Sequence, residues 1–88
     1  MKIKEGFLLR QVGGNNVVVP VGAQSVDFRC LITLNEVGAF LWQKLATDNT
    51  VETLVEALLG EYDVTADIAT ADVERFVASL REKNLLDE

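Results

Sequence analysis

The run at residues 26–45, VDFRCLITLNEVGAFLWQKL, changes its period at one residue. Up to Leu34, apolar and other residues alternate with the two-residue repeat of a half-buried strand. After Asn35 the apolar positions recur at intervals of three and four, the repeat of a helix. Phe28, Cys30, Ile32 and Leu34 fall on one face of the strand, and Asp27, Arg29, Leu31 and Thr33 on the other. Asn35 stands where a residue must end the strand and cap the helix, because its side-chain oxygen can accept from an early helical N–H. A strand that passes directly into a helix commits the chain to a mixed architecture with short connections.

Upstream, GFLLRQV (residues 6–12) reads as a first strand and VVVPV (17–21) as a second. The GGNN between them is rich in residues that tolerate positive φ and marks the turn. Pro20 cannot donate to a ladder, so it belongs at the strand's end or at a bulge. GAQS (22–25) forms a loop before the third strand. Three short strands with short connections predict an antiparallel meander.

Downstream, Val37, Phe40, Leu41, Lys44 and Leu45 share a face of the first helix, with the Lys44 stem lying along it and Trp42 on the flank. Gly38 inside that helix costs about 1 kcal/mol relative to Ala, which close packing against another element explains. A second helix opens at Thr50 and presents Val51, Leu54, Val55, Leu58, Leu59 and Tyr62, the strongest periodic signal in the chain. DVTADIAT (63–70) is expected to form a corner. A third helix carries Val73, Phe76, Val77 and Leu80 on one stripe and ends near KNLL, with Asn84 as its left-handed closing residue. The expected fold is α+β: a three-stranded antiparallel sheet followed by three helices, in the order β-β-β-α-α-α, as one domain over residues 1–88.

Composition narrows the function. The chain has eight basic against fourteen acidic residues, a formal charge of −6. Phosphate backbones are held by Lys and Arg that release counterions, so nucleic acid and anionic membranes are not expected partners. The chain contains no His, the commonest general base and metal ligand. Its one Cys allows neither an intrachain disulfide nor a tetrathiolate site. Glu52, Glu56, Asp72 and Glu82 are spread over helix faces as a solvated surface, Cys30 reads as a small core residue, and Trp42 reads as core or rim. No cofactor and no catalytic residue are expected. The N-terminal apolar run is interrupted by Arg10 and Gln11, and no segment has the length of a membrane span, so the cytoplasm is the expected location.

Read together, ITLNEVGAFLW, TVETLVEALLGEYDV and ADVERFVASLREKNLL resemble the PqqD-like family, whose namesake assists pyrroloquinoline quinone biosynthesis. The resemblance rests on Leu34-Asn35, Leu41-Trp42, Tyr62-Asp63-Val64, Asp72-Val73, Phe76 and Leu80, and covers residues 17–86. Asn84 replaces the family's usual Gly. These are mainly cap and core residues, so they bear on fold more than on function. The resemblance implies a winged-helix-like arrangement and a role as a recognition element for ribosomally made, post-translationally modified peptides. Such elements capture the leader segment of a precursor peptide and present it to a modifying enzyme, often a radical S-adenosylmethionine enzyme. The leader adds as a strand beside the third strand, in a groove flanked by the third helix.

In a meander the third strand has one paired neighbour and one open side, whose unpaired backbone groups are a template for another chain. Asp27, Phe28, Arg29, Cys30, Leu31 and Ile32 are accordingly expected to supply backbone contacts, with Arg29 and Leu31 facing guest side chains. Val73, Phe76, Val77 and Leu80 are the expected helix wall, shared between groove and core. Two other readings stay open. One is an interaction or regulatory module unrelated to leader peptides, including self-association through the open edge. The other is a winged-helix DNA binder, against which the third helix weighs Asp67, Asp72, Glu74 and Glu82 to Arg75, Arg81 and Lys83.

Overall fold

The computed structural model describes residues 1–21 and 32–88. The described elements are β1 (Lys2–Ile3), β2 (Phe7–Val12), β3 (Asn15–Pro20), β4 (Ile32–Leu34), α1 (Glu36–Lys44), α2 (Val51–Glu61), α3 (Ala66–Glu82) and β5 (Leu86–Asp87). The three-stranded antiparallel sheet expected from the sequence is present, in the order β2-β3-β4, and three helices follow it. Among the described residues, no helix is long and apolar enough to cross a membrane.

Gly13 and Gly14 make the two-residue turn between β2 and β3, both with positive φ (57° and 83°), the backbone shape that matches strand twist in a tight hairpin. Val12 and Asn15 close that turn, so β3 starts at Asn15, two residues earlier than the sequence pattern indicates. Pro20 ends β3 opposite Phe7. The next ladder bond runs from the Val21 N–H to the Gly6 carbonyl at 2.8 Å, so the missing Pro20 donor leaves no gap in the β2–β3 ladder.

The N-cap of α1 is Asn35, whose Oδ1 accepts from the Gly38 N–H at 2.7 Å. The buried face of this helix is rotated from the expected one. Gly38, Ala39, Leu41, Trp42 and Leu45 are buried, while Val37 and Phe40 are half-buried. Trp42 is therefore core rather than flank. Lys44 lies as its amphipathic stem suggests, with Nζ 5.3 Å from the centre of the Phe40 ring.

Helix α2 opens with a reciprocal cap: the Thr53 N–H donates to Thr50 Oγ1 (3.2 Å) and the Thr50 N–H to Thr53 Oγ1 (2.9 Å). Leu54 and Leu58 carry its burial, and Leu59, expected on that face, is 40% exposed. The expected corner at 63–70 is shorter than predicted. Thr65 caps α3 by accepting from the Ile68 N–H, and the helix is under way at Ala66. At its far end Asn84 has φ 59°. The Leu85 N–H bonds the Leu80 carbonyl (2.9 Å) and the Asn84 N–H bonds the Arg81 carbonyl (3.0 Å), the paired bonds of a Schellman closure.

That closure turns Leu85 and Leu86 into the core and lets β5 pair with β1, Ile3 opposite Leu86 and Lys2 opposite Asp87. This two-residue pairing is absent from the sequence-based expectation. The Ile3 N–H also reaches the Leu45 carbonyl, tying β1 to the end of α1. The core joins Val18 of the sheet, Leu41, Trp42 and Leu45 of the first helix and its end, Leu54 and Leu58, then Ala69, Val73, Val77 and Leu80 of α3.

Candidate functional site

The β2–β3 turn fixes which backbone groups of β4 point outward. Val12 and Asn15 flank a two-residue hairpin and so exchange hydrogen bonds. The alternation then makes Arg10–Val17 and Leu8–Val19 hydrogen-bonded pairs as well, and aims the peptide groups of Asn16 and Val18 at β4. Their partners Leu34 and Ile32 point back. Thr33, opposite Val17 between them, presents its N–H and carbonyl to the edge away from β3. Side chains alternate in the same rhythm. Val18 is fully buried, so Ile32 and Leu34 face the core and Thr33 is exposed on the outer face.

Beyond that edge lies a cleft of about 330 Å³ between the end of β4 and α3. Thr33, Leu34 and Asn35 form one side, and Val37, Gly38 and Leu41 of α1 form the floor. The far wall is Asp72, Arg75, Phe76 and Ser79, one stripe of α3 at i, i+3, i+4 and i+7. Gly38 shapes the floor. A Cβ there would stand 3.4 Å from both Leu34 Cβ and Phe76 Cε1, so its absence lets the Phe76 ring settle onto α1.

Asp72 and Arg75 are the ionisable residues of this lining. They form a loose pair, Arg75 Nη1 to Asp72 Oδ1 at 3.4 Å, with the Asp72 side chain 34% and the Arg75 side chain 76% exposed. The outward peptide group of Thr33, an apolar floor and one charged rim can hold an extended chain. Among the described residues, no group of three or more His, Cys, Asp or Glu side chains converges as a metal site.

A second depression, of about 270 Å³, lies among Met1, Lys2, Asp48, Asp87 and Glu88. The Met1 ammonium donates to Asp48 and to the Asn49 carbonyl there, and this contact holds the Asp48 carboxyl below its ordinary range. It serves as a tie between the first residues and the α1–α2 loop.

Of the expected site residues, Ile32 lies on β4 beside the cleft with its side chain half-buried on the core face. Asp27, Phe28, Arg29, Cys30 and Leu31 lie outside the described residues, as does the expected 22–25 loop. Phe76 lines the cleft. Val73, Val77 and Leu80, at 0%, 1% and 1% exposure, belong to the core and not to the cleft wall. They form the stripe next to that of Phe76 and belong to the core cluster with Leu41, Leu54 and Leu58. Sequence reasoning missed Thr33, Asp72, Arg75 and Ser79. The signal for Asp72 and Ser79 was available, since they lie four residues before and three after Phe76 on one helical stripe. Their polarity hid them from a search for apolar periodicity.

No curated protein matches the chain. Its fold is similar to that of TbiB1 in complex with the TbiA(beta) leader peptide, with a TM-score of 0.76 at 24% identity, over 99% of this chain and 95% of that one. It is also similar to lasso peptide synthetase B1 complexed with the leader peptide, with a TM-score of 0.72 at 21% identity, over 96% and 93% of the two chains. At such identities the likeness is one of fold. The family model for coenzyme PQQ synthesis protein D matches residues 26–86, from the segment leading into β4 through the Schellman closure to β5, and the chain belongs to the PqqD family.

Proposed function

We propose that the chain is a non-catalytic adaptor that captures the leader segment of a precursor peptide and presents it to a modifying enzyme in the cytoplasm, a radical S-adenosylmethionine enzyme being the partner the family favours. The leader adds as a strand along β4. The observation that carries this reading is the cleft itself: the outward peptide group of Thr33 faces a space floored by Val37, Gly38 and Leu41 and walled by Phe76. Main-chain hydrogen bonds along such an edge supply affinity, and alternate guest side chains reaching the floor supply selectivity. The two solved structures named above, similar in fold, are complexes with a leader peptide, which supports the same reading. Asp27 to Leu31 would extend the backbone contacts begun at Thr33.

The test is a titration of the 15N-labelled chain with the leader segment of a short precursor encoded beside its gene. Amide shifts at Thr33, Gly38 and the residues from Asp72 to Ser79, moving together, are expected. Shifts confined to the Gly13–Gly14 turn overturn the reading. A second copy pairing along the same edge is the competing occupant, and sedimentation over a range of concentrations separates the two.

A further inference from the structure

We infer that the cleft selects an extended peptide segment carrying a basic residue, and that Asp72 is the residue that reads it. The inference rests on the peptide-capture reading and adds to it the charge of the guest. Across the cleft from α3, the lining at Thr33, Leu34, Val37, Gly38 and Leu41 has no ionised side chain. Among the described lining residues, charge discrimination therefore belongs to Asp72 and Arg75.

The two are not equivalent. The Arg75 side chain is 76% exposed and touches Asp72 through one nitrogen at 3.4 Å, so water already solvates most of it. Such a guanidinium can turn away with little loss. The Asp72 side chain is 34% exposed and lies against the wall. A guest strand that covers it removes further water, and a carboxylate losing water needs a cation or a donor in exchange. A guest Lys or Arg supplies both. A guest Asp or Glu would sit beside Asp72 and depend on the exposed Arg75 for compensation. The long-range field acts in the same direction, since the whole chain carries a formal charge of −6 and attracts basic segments while repelling acidic ones. The guest thus combines an apolar side chain over Phe76 with a basic one toward Asp72.

The probe is a displayed library of random dodecapeptides selected on the immobilised full chain at low salt. Enriched peptides are then synthesised with the charged position as Lys, Gln or Glu and measured by fluorescence anisotropy. Enrichment of Lys and Arg is expected. The Lys form should bind about threefold to fivefold tighter than the Gln form, the span of a partly exposed ion pair. Asp72→Asn should erase that preference, Arg75→Gln should enlarge it by releasing Asp72, and added salt should shrink it. Peptides that perturb the Thr33 amide but show no charge preference, or favour Glu, overturn the inference and leave peptide capture standing. Peptides that never perturb Thr33 overturn both.

Discussion

The Phe76 ring rests against the Cα of Gly38: a methyl group built on that carbon would lie 3.4 Å from Phe76 Cε1 and 3.1 Å from Asn35 Oδ1. The second contact is to the oxygen that caps α1 through the Gly38 N–H itself. Crowding at Gly38 therefore presses first on the helix cap, with the cleft wall at ordinary contact distance beside it.

Gly38→Ala is expected to fold, because the gain in helix propensity of about 1 kcal/mol offsets the crowding. The space for the new methyl must come from the cap, where Asn35 Oδ1 has to give by a few tenths of an ångström, while Phe76 Cε1 at 3.4 Å keeps an ordinary contact. Thermal stability should stay within a few degrees of the parent, and peptide affinity should fall because the methyl fills part of the cleft floor beside Phe76. Parent-like binding by Gly38→Ala would mean that the Phe76 face is not where the guest lies.

Thr33 offers a backbone test that leaves the sheet's own hydrogen bonds in place. Its N–H points away from β3, so Thr33→Pro removes an outward donor without removing a β3–β4 bond, the situation in which an edge strand tolerates Pro. Peptide binding should weaken at least tenfold, about 1.4 kcal/mol and the size of a lost backbone hydrogen bond. Thr33→Val, which keeps the N–H, should bind as the parent does. Amide spectra of core residues such as Val18 and Leu41 report whether the fold is retained. Equal affinities for the two variants would remove β4 as the docking strand.

The features legible in the sequence are those where one residue does one local job. Asn35 as cap, a turn within GGNN and Asn84 as helix closure follow from side-chain oxygens and positive φ, which need no knowledge of the rest of the fold. Burial carried by small residues left no such trace. Ala39 and Ala69 are buried because other elements come close, and periodicity counted on large apolar residues passed over them. The start of α3 was hidden for that reason, with Ala69 fully buried and the larger Ile68 52% exposed. The β1–β5 pair is set wholly by tertiary contact, each strand being two residues long. At the site, Phe76 was legible by size. The role of Thr33 depends on the parity of the ladder, which only the pairing with Val17 reveals.

Asn84 carries a prediction about stability alone. At φ 59° an L-residue other than Asn or Gly is strained by about 1–2 kcal/mol. Asn84→Ala should lower stability by about 1 kcal/mol and loosen the Leu85 and Leu86 anchors that hold β5. Asn84→Gly relieves the backbone but removes the exposed acceptor of the Lys4 ammonium at 2.9 Å, so it should be neutral to slightly stabilising. Denaturant melts of the three chains give the order directly. An Ala variant as stable as the parent would show that the closure does not depend on a left-handed residue.

Tyr62 is the only tyrosine, so its titration can be followed by ultraviolet absorbance without assignment. The ring is half-buried and stands edge-on to Phe40, centroids 5.5 Å apart at 90°. Desolvation, and after it the charges of Glu36 and Glu61, raise the phenol above its ordinary range, because each disfavours the phenolate. The folded chain thus holds this proton to higher pH than the unfolded chain does. The contribution to stability is whole below the unfolded-state value, about 10 for a free phenol, and is lost as pH rises from there through the folded value. The absorbance midpoint should lie above that of a tyrosine peptide in the same buffer. Phe40→Ala, which wets the ring, should move it back. A folded midpoint at or below the peptide's would mean that the Phe40–Tyr62 contact does not shield the hydroxyl, and that this side of α1 is more open than the packing indicates.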